Sequence, residues 1–263
     1  MPPPVPRRTF LAGAAVAATV GVGGPAAATG HVPRPKPTIV LVHGAFADAA
    51  GWSQVIAYLT RDGHSVIAPP NPLRGVHADS AYLAAFLDSL PGPLVLVGHS
   101  YGGMLITNAA YGNERVRALV YVAAFAPDAG DTVSDLQTMF PGTRLTQAEL
   151  DLRHHPQGVE GYVKRTAFRE VFAGDLSRPE ADLLWATQRP GDTATLSETS
   201  GTPAWKTVPS YYLVAREDNL IPAAAQRFMA ERAGALTVEV RASHVAMISE
   251  PRITATLIGK AAR

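Results

Sequence analysis

The chain of 263 residues contains no cysteine. Disulfides, thiolate metal sites, iron–sulfur clusters and a cysteine nucleophile are thereby excluded. Charge is sparse: only 17% of residues are Asp, Glu, Lys or Arg, and 23 basic against 22 acidic side chains leave +1 at neutral pH. That balance offers no basic face for nucleic acid and does not fit a charge-driven disordered chain. No apolar run reaches the about 20 residues that a membrane-spanning helix requires, so no stable membrane insertion is expected once an export signal is removed. Internal repeats are lacking as well. What is present is a chain 47% hydrophobic, enough apolar material for a buried core. Its length allows one large domain or two small ones.

The first residues read as an export signal. Arg7-Arg8-Thr9-Phe10-Leu11 puts two arginines ahead of an uncharged Ala/Val/Gly stretch over 10–22, which exits through Gly23-Gly24-Pro25-Ala26-Ala27-Ala28. A basic start, a short apolar middle and a small-residue exit are the three parts of a secretory signal, and the arginine pair fits the twin-arginine route. The reading is a signal over 1–28, a Pro-stiffened linker over 29–37, and a secreted or extracytoplasmic mature protein.

From Thr38 onward strands and helices alternate. β-branched and aliphatic runs predict buried strands at 38–42, 65–68, 94–97, 118–122, 211–214 and 236–240. Helical spacing predicts helices over 52–61, 82–90, 104–111, 223–233 and 251–260. This order predicts an α/β class fold: a mostly parallel central sheet with helices on both faces. The core is expected at 38–126 and 208–263. Between them the rhythm breaks, and residues 127–207 read as a helical cap insertion without a strand.

Gly98-His99-Ser100-Tyr101-Gly102 is G-x-S-x-G directly after a strand and directly before a helix. In that setting a strained turn lifts the serine oxygen above the sheet edge, and the helix N-terminus favours developing negative charge. A serine nucleophile requires a base, and the chain order is expected to run serine, acid, histidine. Of the eight histidines only His154, His155 and His244 follow Ser100. His244 stands in the loop after the strand ending near Val240, on the same edge as Ser100; His154 and His155 fall in the cap and read as surface residues. Asp218, just past the 211–214 strand, ranks as the acid ahead of Asp128 (with Asp131 beside it) and Glu217. Backbone donors for an oxyanion are expected from Tyr101 and from the loop His43-Gly44-Ala45-Phe46, with Ala45 preferred over Phe46. Phe46, Phe125, Met139 and Trp185 are the expected substrate-binding side chains. Neither a metal nor a cofactor is required.

These motifs resemble the α/β-hydrolase superfamily, and within it the plant-type methyl-ester esterases and hydroxynitrile lyases. The likeness runs from about Thr38 to the C-terminus. It is carried by Val40–Ala45, Gly98–Met104, Ala123–Asp128, Glu217-Asp218 with Ile221-Pro222, and His244 with Met247 and Glu250-Pro251. It implies Ser100, Asp218 and His244 as a triad, Ala45 and Tyr101 as an oxyanion hole, and hydrolysis of a carboxylic ester; the aromatic side chains within 127–207 favour a small, apolar or aromatic acyl or alcohol part. The lyases of that group carry a Lys after the catalytic His and a Thr where this chain has Gly44; here Val245 follows His244. The alternatives are lyase-like or perhydrolase chemistry on the same triad, or a non-catalytic ligand-binding protein on this fold.

Overall fold

The computed structural model describes Met1 and residues 35–263. The expected export signal over 1–28 and most of the linker over 29–37 lie outside the described residues.

Six strands form one sheet: β1 (Thr38–Val42), β2 (Ser65–Ile67), β3 (Leu94–His99), β4 (Val116–Val122), β8 (Ser210–Ala215) and β9 (Leu236–Val240). Their order is β2-β1-β3-β4-β8-β9, and every pairing is parallel. The inner strands are buried along nearly their whole length, whereas β2 and β9 at the edges are mostly exposed. This explains why the inner strands read as continuous aliphatic runs. Around the sheet, α1 (Ser53–Arg61) packs on α10 (Pro251–Ala261), and α2 (Val76–Asp88) packs on α3 (Gly102–Ala109). Helix α8 (Ala223–Arg232) follows β8, and the short α9 (Ala246–Ser249) follows β9. Helix α2 starts six residues earlier than its apolar stripe predicts. Asp79 accepts hydrogen bonds from Arg74 N–H and Gly75 N–H and so ties down a first turn that has no apolar periodicity.

Strand order changes direction between β1 and β3, so the loops leaving these strands splay apart and open a crevice at their carboxyl ends. The loops after β8 and β9 end on the same edge.

Residues 127–207 depart from the all-helical expectation. Helices α4 (Val133–Thr138), α5 (Arg165–Phe172), α6 (Arg178–Ala186) and α7 (Ala194–Ser197) are present. So is an antiparallel sheet of β5 (Leu150–His155), β6 (Gly158–Val163) and β7 (Gly191–Asp192). Of the expected helical pieces, 146–152 holds one 3-10 turn (Gln147–Glu149) before β5 begins, and 158–172 starts as β6 before it becomes α5. Pro156-Gln157 turns the chain between them, and the alternation Leu150-Asp151-Leu152-Arg153 has the period of a strand. The pair His155 Nε2 and Asp192 Oδ2, 2.7 Å apart, spans β6 to join the outer strands.

Ser100 sits at φ +53°, in the left-handed region, where a non-glycine residue is strained. The surroundings hold it there. Ser100 O accepts from Gly103 N–H and Phe125 N–H, at 2.9 and 3.1 Å. Backbone approaches so closely that a Cβ on Gly44 would lie 2.6 Å from Ser100 Cβ, and one on Gly103 would overlap Phe125 O. Gly103→Ala is therefore expected to lower unfolding free energy by about 3 kcal/mol in urea titrations; an unchanged midpoint would contradict this packing.

His43 and His99 are enclosed by the core. His99 is fully buried, and burial holds its imidazole well below the usual histidine range. His43 is displaced the same way by burial. Such a group stays neutral in the folded state while its unfolded counterpart takes up a proton. Stability is complete above the unfolded value and falls as pH drops below about 6.5. We expect the acid-side loss of stability, up to about 1.4 kcal/mol per pH unit per histidine, to become shallower in His99→Gln. Urea midpoints between pH 7.5 and 5 measure this slope, and equal slopes in both proteins would refute it.

Candidate active site

Three loops at the carboxyl edge of the sheet carry Ser100, Asp218 and His244. Ser100 directly follows β3, Asp218 lies three residues beyond β8, and His244 four beyond β9. All three are buried. His244 Nδ1–H donates to Asp218 Oδ2 at 2.7 Å. Its other ring nitrogen, Nε2, is buried without a hydrogen-bond partner among the described residues. The imidazole is thus in the tautomer whose free lone pair is at Nε2, the state a general base needs.

The ring is fixed from several sides. His99 Nε2–H donates to His244 O at 3.0 Å, and the two imidazole centroids lie 4.8 Å apart. This places the base beside the residue that precedes Ser100. The Phe172 ring stands 5.1 Å from the His244 ring. One position earlier, Ser243 N–H donates to Asp175 Oδ2 at 2.9 Å, and its hydroxyl donates to Asp175 Oδ1. Asp175 belongs to the insertion, so the insertion grips the loop that carries His244.

Asp218 Oδ1 accepts from Leu220 N–H and Ile221 N–H, at 2.7 and 2.9 Å. The carboxylate orients the imidazole and shapes its own loop at once. The other acid candidates are engaged elsewhere. Asp128 pairs with Lys206 at 2.7 Å, and the hydrogen bond from that ammonium holds its carboxyl below the usual range. Asp131 pairs with Arg232 and Glu217 with Arg241.

The two expected oxyanion donors flank the serine. Tyr101 precedes α3, and Ala45 lies in the loop after β1; both line the same cavity as Ser100. Among the described residues, neither Ala45 N–H nor Tyr101 N–H donates to another protein atom. Phe46 N–H, the alternative donor, is used by Arg189 O at 2.7 Å. The Tyr101 hydroxyl donates to the buried Asp79 at 2.9 Å, which pins the side chain of the residue after the nucleophile.

Among the described residues, no charged side chain lines the cavity. Of the four side chains expected to bind substrate, Phe46 and Phe125 line it, whereas Met139 and Trp185 do not. Met139 follows the last turn of α4, where Val133 and Gln137, one helical turn apart, face the cavity and turn position 139 outward; Met139 is 44% exposed. Trp185 binds the insertion together: its Nε1–H donates to Val163 O at 3.2 Å, and the Arg165 guanidinium covers its ring. Sequence reasoning missed the far wall altogether. That wall comes from the small antiparallel sheet and from α7: Leu150, Leu152, Gly161, Gly191, Thr195 and Leu196. His154 is exposed as expected, but His155 is half-buried in its contact with Asp192.

The chain is similar to several known proteins. A pyrethroid hydrolase of Sphingobium wenxiniae is 29% identical, covering 84% of this chain and 85% of that protein. Methylesterase 1 of Arabidopsis thaliana is 28% identical, covering 74% and 83%. The crystal structure of polyneuridine aldehyde esterase superposes with a TM-score of 0.74 at 21% identity, covering 86% of this chain and 99% of that one. The model of the alpha/beta hydrolase family matches residues 39–257. That match spans most of the chain, and the chain belongs to the alpha/beta hydrolase family.

Proposed function

We propose that this protein is a serine-dependent hydrolase of small, uncharged carboxylic esters. The observation that carries the proposal is the 2.7 Å Asp218–His244 bond, which leaves Nε2 without a partner among the described residues on a ring that stands against His99, the residue before Ser100. Esterase and hydrolase activities in the names of the similar proteins support it.

The reaction is built from the groups present. Ser100 Oγ attacks the ester carbonyl while His244 Nε2 takes its proton. The imidazolium that forms lies against the Asp218 carboxylate, which stays ionised. Negative charge moving onto the carbonyl oxygen meets the unused N–H groups of Ala45 and Tyr101, a contribution of roughly 3 kcal/mol per donor. His244 returns the proton to the alkoxide leaving group, and the alcohol departs. Water, deprotonated by the same nitrogen, then releases the acid from the acyl-enzyme. Val245 after His244 and the uncharged cavity lining supply no cation for a cyanide leaving group, which favours hydrolysis over cyanohydrin cleavage. The Arg7-Arg8 pair and the apolar stretch after it support export by the twin-arginine route.

Ser100→Ala is expected to lower kcat/KM on 4-nitrophenyl acetate by about a thousandfold or more with unchanged circular dichroism; retained turnover would overturn the proposal. The wall at Gly161 sets how long an acyl group fits. The atoms nearest a Cβ there are the Leu150 and Leu152 methyls, 3.5–3.7 Å away in ordinary contact, so Gly161→Val is expected to fold and to narrow the cavity. The hexanoate-to-acetate ratio of kcat/KM is expected to fall about tenfold or more. An unchanged ratio would remove this wall from the substrate space.

A further inference from the structure

Asp218 has a fourth hydrogen-bond donor that the proposed reaction does not use. Gln226, in the first turn of α8, is fully buried. Its Nε2 lies 2.8 Å from Asp218 Oδ2 and 2.8 Å from Ile221 O. Its Oε1 accepts from Ala215 N–H at 2.9 Å. The amide orientation is fixed by chemistry: only the oxygen can face a backbone N–H, and only the NH2 can face a carboxylate and a carbonyl.

The two Asp218 oxygens therefore receive Leu220 N–H, Ile221 N–H, Gln226 Nε2–H and His244 Nδ1–H. A carboxylate has about four such acceptor positions, and all are filled. Gln226 and His244 share one oxygen. Whatever negative charge Gln226 compensates is charge the imidazolium does not feel, and the amide fixes where that oxygen points. Because Oε1 is tied to the end of β8, the donor position is set by the sheet itself.

We propose that Gln226 is a positioning residue for the triad: it orients the Asp218 carboxylate toward His244 and limits how strongly that carboxylate favours the protonated imidazole. This rests on the assignment of Ser100, His244 and Asp218 as the triad. The other polar or ionisable groups packed around the pair are His99, against the His244 ring, and the Tyr212 phenol near Asp218. Burial holds His99 well below its usual range and Tyr212 well above its own, so neither titrates near neutrality.

The test uses the whole protein and a 4-nitrophenyl ester. Gln226→Met keeps the volume and removes the donor. Its kcat is expected to fall about 10- to 100-fold, the size of one hydrogen bond to a charged group, with KM changed less than about twofold. With less compensation on Asp218, the protonated imidazole is favoured, so the acid limb of kcat/KM moves to higher pH by about half to one unit. Gln226→Glu keeps the acceptor for Ala215 N–H. While protonated it can still donate to Asp218; a carboxyl beside a carboxylate holds its proton above the usual range. Activity of this variant is expected to survive at low pH and to be lost as pH rises, giving an alkaline limb absent from the parent. If Gln226→Met does not fold, this limb decides. A folded Gln226→Met with parental kcat and acid limb, or a Gln226→Glu without the alkaline loss, would overturn the role. If Ser100→Ala kept turnover, the triad itself would fail; if it is inactive while the Gln226 variants behave as the parent, only the positioning role fails.

Discussion

Everything at the active edge depends on how closely backbone is allowed to approach backbone around residue 100. Ser100 occupies a left-handed conformation that its own chemistry disfavours. It stays there because its carbonyl is held by two amides and because neighbouring strands and loops close in where side chains are missing. The strain has a use: it sets the hydroxyl at the mouth of the crevice between β1 and β3 while leaving the adjacent amide of Tyr101 unengaged. In the proposed reaction, relaxing the turn would lose nucleophile and oxyanion donor together.

The second layer is electrostatic. A buried His–Asp pair costs desolvation of both partners, and it is tolerated only where the remaining polar positions are satisfied. Here the carboxylate is fully supplied with donors and the imidazole keeps one unsatisfied nitrogen. Within that pair, Nε2 is the position that can accept a proton. His99, neutral because it is buried, braces the base without adding a competing charge.

Much of this was legible in the sequence because it depends on periodicity and order. The inner strands announce themselves as aliphatic runs, and a parallel sheet brings all their carboxyl ends to one edge, so Ser100, Asp218 and His244 can be picked from loop position alone. The insertion was far less legible. Strands β5 and β6 are short, half-exposed and interrupted by charged residues, with Asp151, Arg153 and Glu160 facing away from the cavity wall. Their alternation is weak beside the helical spacing that surrounds them, although Pro156-Gln157-Gly158 is a turn signal that marks a hairpin. The lining side chains could not be chosen by size or aromaticity. Trp185 looks like a substrate contact and is a structural strut, whereas Gly161 and Gly191 look like spacers and shape the wall. Gln226 carried no signal, because its role exists only once α8 is packed against Asp218.

The grip of Asp175 on Ser243 bears on how such proteins diversify. The segment that walls the substrate space also anchors the loop bearing the imidazole. Grafting a different lid onto this sheet would exchange part of the base's foundation along with the pocket. Selectivity and reactivity are thus not separable modules in this molecule: a new lid must bring its own acceptor for residue 243, or the chain inherits a different specificity together with a loosened proton acceptor.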